Sequence, residues 1–208
     1  MLIDMTLEKY ISESASGSPT PGGGSVCALA GALGASLSSM VGEITLKKEL
    51  DKDEREHMEG LLKKCKSLIE RLEKGVDADP AVFDKVMDAY HMAKISDEDK
   101  SARSKAIQKA LKEASDLPYQ TALLCLDVMD MSIDMLNSGN KSAASDASVA
   151  GFLGYAGLNG ALYNVKINLK NIKDVDYVNK MKSNVDDLIS KSEMLISKLK
   201  SLSSDMIG

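Results

Sequence analysis

Acidic and amide side chains recur in the C-terminal half of the sequence. The run GNKSAASDASVAG at 139–151 places Asp146 where a helix is predicted to begin, and a helix dipole favours an ionised carboxylate there. Asn140 in that run, and Asn164 and Asn168 beyond it, offer amide donors and acceptors to a heterocyclic ligand. Asn164 and Asn168 are four residues apart and therefore share one helix face. Helix capping and hydrogen bonding between helices explain the same residue types, and composition alone favours that alternative.

The turn SPTPGGGS is a second candidate for ligand contact. Its two prolines restrict the chain, while Gly22, Gly23 and Gly24 permit unusual dihedrals or a close approach to another group. A helix follows directly, so its unpaired N–H groups could hold an anion or a polar ligand. A tight turn into a buried helix explains the glycines equally well. The turn does not follow a strand and lacks the lysine of a phosphate-binding loop.

The remaining ionisable residues form weaker patterns. His57 and His91 lie in different predicted helices without a second ligand at metal-binding spacing, so no metal site is expected. Asp127, Asp130 and Asp134 share one helical stripe, but no matching acidic motif occurs on another helix. We interpret that stripe as a solvated face and expect no metal or redox cofactor.

Composition narrows the class of protein further. A net charge of −5 argues against nucleic acid as the partner, because such partners select basic surfaces. Three dispersed cysteines and an acidic N-terminus without a signal-peptide pattern favour reduced thiols and a cytoplasmic location. Residues 26–46 are long and apolar enough to suggest a membrane span. They carry Glu43 and many small residues, so a buried core helix is the better interpretation, and no membrane partner is expected.

Helical periodicity dominates the chain, and no stretch shows the alternation of a strand. We therefore predict an all-α fold, a single-domain helical bundle spanning 1–208. Its centre is a long, buried helix rich in small residues, from about Ser25 to about Leu46. Because so little of that helix is polar, it requires neighbours on every side, which implies a bundle and a possible partner subunit.

Local signals predict the ends of the other helices. Asp79-Pro80 has the pattern of a helix start, with the aspartate as cap and the proline in the first turn. Ser96 and Asp99 form a capping-box pattern, and an interruption is predicted near Pro118. Ser142, Ser145 or Asp146 is expected to cap the following helix. A last helix after Asp174 carries a long apolar seam that predicts a partner helix in this chain or another.

Four ordered motifs together resemble one known family. They are SPTPGGGSVCALAGALGASLSSMV, DADPAVFDKVMDAYHMAK, GNKSAASDASVAG and NVKINLKNIKD, and they span nearly the whole chain. This combination is similar to the cyclodeaminase/cyclohydrolase family, which comprises the cyclodeaminase half of formiminotransferase-cyclodeaminase and its free-standing bacterial relatives. The resemblance implies an all-α homodimer or higher assembly that acts on tetrahydrofolate one-carbon units without a metal or redox cofactor.

The resemblance also implies provisional roles for the candidate residues. Ring closure requires a proton shuttle, and the cationic methenyl group is stabilised by a fixed carboxylate. Asp146 is the first candidate for that carboxylate. Asp79 is the second, although capping the helix before Pro80 is the more favoured role for it. The predicted substrate contacts are Gly22, Gly23, Gly24, Asn140, Ser145, Asn164 and Asn168, with Lys94 and Arg103 facing either the glutamate tail or solvent.

The resemblance implies two activities, in order, and a third alternative stands apart from it. The first is a cyclodeaminase that closes 5-formimino-tetrahydrofolate to 5,10-methenyl-tetrahydrofolate and releases ammonia. The second is a cyclohydrolase that interconverts 5,10-methenyl- and 10-formyl-tetrahydrofolate. The third, of another class, is a non-catalytic helical binding or scaffold protein.

Overall fold

The computed structural model describes residues 1–207, and within them all regular structure is helical. This confirms the all-α prediction. Six α-helices and one short 3₁₀ turn at Lys141–Ala143 follow one another. The α-helices are α1 Leu7–Ser14, α2 Gly23–Thr45, α3 Lys52–His91, α4 Asp97–Ser138, α5 Ala144–Leu169 and α6 Val175–Ile207.

The centre of the bundle is an antiparallel pair formed by α2 and α5. Their backbones approach closely because small residues face one another: a Cβ on Gly34 would lie 2.7 Å from the carbonyl oxygen of Ala150. At the other end of the pair, a Cβ on Gly157 would lie 2.8 Å from the carbonyl oxygen of Cys27. These contacts fix the spacing of the two helices, since real Cβ atoms do not approach backbone so closely. The predicted small-residue central helix is confirmed, with its start two residues earlier, at Gly23.

The helices α3 and α4 form a long hairpin that packs against the central pair. A capping box of Asp51 and Glu54 begins α3, and the predicted capping box of Ser96 and Asp99 begins α4. The apolar seam of α6 packs against α4 and α5, so the partner helices of that seam lie in the same chain. The most buried seam residues are Met181, Val185, Leu188, Ser192, Ile196 and Leu199.

Two proline predictions were wrong. Pro80 does not begin a helix, because α3 runs without interruption from Lys52 to His91, and Pro118 does not interrupt α4. A proline inside a helix leaves the carbonyl four residues earlier without its N–H donor. Neighbouring helices supply the missing donors: Ser25 Oγ donates to the carbonyl oxygen of Val76 at 2.9 Å, and Asn168 Nδ2 donates to that of Ala114 at 2.7 Å.

The start of α5 also differs from the prediction. The helix begins at Ala144 without a side-chain cap, so Ser142, Ser145 and Asp146 do not cap it. Asn140 caps the preceding 3₁₀ turn instead, because its Oδ1 accepts from the Ser142 N–H at 3.0 Å. That turn precedes the helix directly and takes over the capping position.

One side of the central pair remains uncovered. In α2 the exposed apolar residues recur every seven positions, and α5 carries a matching stripe beside it. Leu33 is 50% exposed and Tyr163 is 71% exposed. We call this surface the α2–α5 face, and it consists of Val26, Leu33, Met40, Val149, Phe152 and Tyr163.

By length and composition, α2 could cross a membrane, and it is the single such helix in residues 1–207. Its most apolar window is 56% buried inside the bundle, against α3, α4 and α5. This burial agrees with the predicted core role of the helix.

Candidate active site

A cleft of about 250 Å³ lies where the N-terminus of α2, the C-terminal part of α5 and the two proline positions meet. The turn before α2 forms one wall, and α3, α4 and α5 supply the others. We call this cavity the cleft. It is lined by Pro19, Thr20, Gly22, Gly23, Gly24, Asp79, Val82, Phe83, Val86, Ala114, Leu117, Pro118, Asn164, Ile167 and Asn168.

Asp79 is the single ionisable side chain among the residues that line the cleft. Its Oδ2 accepts a hydrogen bond from the backbone N–H of Ser25 at 3.1 Å, in the first turn of α2. Burial raises the pKa of Asp79 above its ordinary value, and the Ser25 N–H partly offsets that rise by stabilising the carboxylate. A carboxyl group whose pKa is raised in this way binds a proton more readily than an exposed aspartate, which suits it to exchanging a proton with a bound ligand.

One glycine of the turn, Gly24, is required by the carboxylate beside it. A Cβ on Gly24 would lie 2.0 Å from Asp79 Oδ1, a distance that no real side chain adopts. A Cβ on Gly23 would lie 3.5 Å from Asn164 Nδ2 and would fill the space between α2 and α5. The absence of side chains therefore lets Asp79 reach the helix N-terminus and leaves backbone exposed to a ligand.

Asn164 and Asn168 lie on one face of α5 and both line the cleft, as their spacing predicted. Asn164 Nδ2 donates to the carbonyl oxygen of Gly160 at 3.1 Å, and Asn168 Nδ2 donates to that of Ala114. The Nδ2 group of each amide is therefore used in a hydrogen bond within the protein, which was the alternative to ligand contact. In each amide, the Oδ1 atom is still available as an acceptor for a ligand.

Three predicted site residues lie elsewhere in the chain. Asn140, Ser145 and Asp146 lie at the N-terminal end of α5, whereas the cleft lies at the C-terminal end. Asp146 and Asn164 are 18 residues apart on one helix, which corresponds to about 27 Å. Asn140 donates its backbone N–H to Thr45 Oγ1 at 2.9 Å, beside the C-terminus of α2. A single chain thus does not bring this group to the glycine turn.

Lys94 lies in the connection between α3 and α4, and Arg103 lies near the start of α4; neither lines the cleft. The Arg103 guanidinium donates to the carbonyl oxygen of Tyr90, from Nε at 3.2 Å and from Nη2 at 2.9 Å. It also lies 5.7 Å from the centre of the Tyr90 ring. These contacts hold the end of α3, so Arg103 has a structural role there, while Lys94 is exposed to solvent.

Tyr10 and Ser25 complete the surroundings of Asp79, and the sequence did not indicate either of them as a site residue. Tyr10 is the one buried residue of α1, and its hydroxyl lies 3.0 Å from Ser25 Oγ. Burial raises the pKa of the Tyr10 phenol. An available signal was Pro80, since an internal proline frees a carbonyl that a buried hydroxyl can bind.

A larger groove of about 370 Å³ lies between α3 and α4, away from the cleft. Its lining includes Lys64, Arg71, Asp127 and Asp130, and these two aspartates are exposed. Within residues 1–207, no group of three or more His, Cys, Asp or Glu side chains could hold a metal ion. The exposure of Asp127 and Asp130 agrees with the interpretation of their stripe as a solvated face.

The fold and the cleft together define a class: an all-α bundle in which a half-buried carboxyl meets a glycine-rich helix N-terminus. The sequence profile of the formiminotransferase-cyclodeaminase family matches residues 6–187. The chain belongs to this family of folate one-carbon enzymes.

The chain spans different shares of the individual relatives that it matches. The chain is 36% identical to the methenyltetrahydrofolate cyclohydrolase of Methylorubrum extorquens over 91% of both proteins. It is 31% identical to the formimidoyltransferase-cyclodeaminase of Rattus norvegicus over 92% of its own length and 36% of the rat protein. The crystal structure of formiminotetrahydrofolate cyclodeaminase from Thermotoga maritima superposes with a TM-score of 0.88, at 28% identity, over the full length of both chains.

Proposed function

We propose that the cleft binds a reduced folate and that the chain hydrolyses 5,10-methenyl-tetrahydrofolate to 10-formyl-tetrahydrofolate. The similarity to the Methylorubrum extorquens cyclohydrolase over 91% of both proteins supports this reaction. This proposal places the cyclohydrolase before the cyclodeaminase, the reverse of the order expected from the sequence. The observation that carries the chemistry is Asp79, which lies half-buried in the cleft and is the one ionisable group among its lining residues.

Asp79 would move the protons of this reaction. Water attacks the methenyl carbon, and the Asp79 carboxylate accepts one of its protons as the carbon–oxygen bond forms. The bond between that carbon and N5 then breaks, N5 receives the proton from Asp79, and the remaining hydroxyl proton leaves to solvent as the formyl C=O forms. The ionised carboxylate also stabilises the cationic methenyl substrate before attack. Atoms and charge balance: the cation and one water give neutral formyl product and one proton.

The cyclodeaminase reaction is the second candidate, favoured by the match to the Thermotoga maritima protein over both full chains. In that reaction N10 attacks the formimino carbon and loses its proton. The leaving nitrogen gains that proton and one more, ammonia departs, and the methenyl cation remains. The same carboxylate could carry the N10 proton, since both reactions pass through a tetrahedral carbon between N5 and N10.

The ultraviolet absorbance of the methenyl group separates the two candidates. With purified protein and 5,10-methenyl-tetrahydrofolate, we expect the absorbance to fall faster than in buffer alone. With 5-formimino-tetrahydrofolate, cyclodeaminase activity would make the same absorbance rise. An absorbance that follows the uncatalysed rate with both substrates would exclude both reactions.

We further propose that a second copy of the chain covers the α2–α5 face and forms a homodimer. Both central helices are apolar around most of their circumference, and exposed apolar surface of this kind is typical of subunit interfaces. A two-fold axis perpendicular to the helices would pack the face of one chain against the same face of the other.

Such a dimer gives the N-terminal end of α5 a place in the site. A perpendicular two-fold axis reverses the direction of the helices, so the partner's Asp146 would lie over the cleft end of the first chain. Asn140 and Ser145 of the partner subunit would approach with it. We therefore retain Asp146 as a proposed second carboxylate that contacts the cationic substrate from across the interface.

The remaining properties follow the proposed reaction. The substrate is a tetrahydrofolate derivative, and neither reaction needs a metal or redox cofactor. The proposed location is the cytoplasm, since all three cysteines are buried and unpaired.

A further inference from the structure

The first helix, α1, buries a single side chain, Tyr10. The Tyr10 hydroxyl contacts Ser25, whose backbone N–H donates a hydrogen bond to Asp79. In α1, Tyr10 is 7% exposed and packs against Ala28 and Val76, whereas Leu7 and Ile11 are largely exposed. The ring of Tyr10 therefore supplies the buried apolar contact of α1. Its phenol hydroxyl lies 3.0 Å from Ser25 Oγ.

The direction of the hydrogen bonds in this group follows from the proton count. Ser25 Oγ has one proton, and it lies 2.9 Å from the carbonyl oxygen of Val76, which can only accept. Pro80 has no N–H, so this carbonyl has no helical donor and takes the serine proton. The Tyr10 hydroxyl must then donate to Ser25 Oγ.

Ser25 links this chain of hydrogen bonds to the cleft. Its side chain is held between α1 and α3, and its backbone N–H donates to Asp79 Oδ2 at 3.1 Å. Ser25 is fully buried, so water cannot replace either bond. The N-terminal segment is tied down nearby, because the Leu2 N–H donates to Asp77 Oδ1.

We propose that Tyr10 is a positioning residue for Asp79, acting through Ser25. By fixing the Ser25 hydroxyl, Tyr10 sets the first turn of α2 so that the Ser25 N–H points at the Asp79 carboxylate. The inference rests on the proposed role of Asp79. It assigns α1, which does not line the cleft, a function in the reaction.

Few other groups could move the titration of Asp79. The titratable side chains that sense its charge are Tyr10 from α1 and Cys27 from α2, while Asp77 on α3 acts on Tyr10. From α4 and α5 the cleft presents only neutral side chains. No cation lines the cleft, so the Ser25 N–H is the main group that stabilises the carboxylate.

The Tyr10→Phe variant tests the proposal, because it keeps the ring and removes only the hydroxyl. We expect kcat to fall about tenfold with KM changed less than about twofold, since the substrate contacts remain. The pKa of Asp79, followed by carboxyl ¹³C NMR and assigned with Asp79→Asn, should rise, and the acid limb of the pH–rate profile should move to higher pH with it.

Two further variants make the test specific. Tyr155→Phe is the matched control: its hydroxyl donates to Glu193 on the surface, so its removal should leave the pKa of Asp79 and kcat unchanged. Ser25→Ala should raise the pKa of Asp79 as Tyr10→Phe does. Because Tyr10 acts through Ser25 Oγ, the double variant should be no worse than Ser25→Ala alone.

Either of two results would overturn the proposal: an unchanged Asp79 pKa in Tyr10→Phe, or additive effects in the double variant. The NMR titration needs no turnover. A wild-type protein without folate activity would refute the proposed function, while the positioning of Asp79 would still be decided by the titration.

Discussion

A carboxyl group that moves protons should bind a proton more readily than an exposed aspartate does and still be held in one orientation. Asp79 meets both conditions, because burial raises its pKa while the Ser25 N–H fixes one oxygen. Its place next to Pro80 made it look like a helix cap. In the structure it lies inside α3, and its carboxylate points at another helix.

Replacing Gly24 by alanine tests how closely that helix must approach. The new Cβ would lie 2.0 Å from Asp79 Oδ1, so we expect about 2 kcal/mol lower stability and a large loss of activity. Gly60→Ala is the matched control, since nothing lies within 4 Å of its added Cβ in the exposed part of α3. There we expect about 0.5 kcal/mol of stabilisation. Urea unfolding measures both, and equal effects would contradict the close approach.

At the level of the helices, each of the two long helices α3 and α4 contains an internal proline, and a neighbouring helix binds the carbonyl that this proline frees. Pro80 and Pro118 each free a carbonyl beside the cleft, and Ser25 and Asn168 bind these carbonyls from the central helices. The two long helices are thereby joined to α2 and α5 where the cleft forms. Polar residues that looked available for a ligand also hold the scaffold together.

The pairing of Asn168 with Pro118 can be tested by a double-mutant cycle. Asn168→Ala should lower the free energy of unfolding by about 1–2 kcal/mol, because the Ala114 carbonyl loses its donor. In a Pro118→Ala background the restored N–H serves that carbonyl, so the same substitution should have a smaller effect. Chemical denaturation gives the four stabilities. Identical losses in the two backgrounds would show that Asn168 has no such role.

The sequence was sufficient for most of the elements. Periodicity and capping boxes predicted the helices and the starts of α2, α4 and α6, because these signals are local. It failed at Pro80, Pro118 and the start of α5. Whether a proline ends a helix depends on a donor from a distant residue, and for Pro80 that donor is Ser25.

At the scale of the whole molecule, the exposed apolar face of α2 and α5 predicts an assembly. Leu33→Glu places a charge within the α2–α5 face, so we expect dimers to dissociate and sedimentation to show monomers. Leu7→Glu is the control, because Leu7 is 68% exposed on α1 and lies outside the face. A wild-type protein that sediments as a monomer would contradict the proposed dimer.

Mixing two inactive variants tests whether the partner's Asp146 completes the site. In a mixed dimer of Asp79→Asn and Asp146→Asn subunits, one site carries both substitutions and the other carries neither. After subunit exchange we expect about a quarter of wild-type activity, from half the dimers with one intact site each. Exchange without recovered activity would exclude a shared site.

The sequence predicted only part of the candidate site. Residue types and spacing indicated the glycine turn, Asn164 and Asn168, and the family resemblance added Asp79 as a second candidate carboxylate; all of them line the cleft. The spacing could not show that Asp146 lies at the far end of α5. Nor could it reveal Tyr10, whose contact with Ser25 depends on how α1 docks.

The most direct test of the proposed role of Asp79 is the rate at which the Asp79→Asn variant removes the methenyl absorbance. The amide keeps the shape of the carboxyl but cannot accept the proton, so we expect kcat to fall about 10²- to 10⁴-fold. The exposed Asp84→Asn on the same helix should hydrolyse 5,10-methenyl-tetrahydrofolate as the wild type does. An Asp79→Asn enzyme with the wild-type rate would contradict the central claim that Asp79 moves the proton.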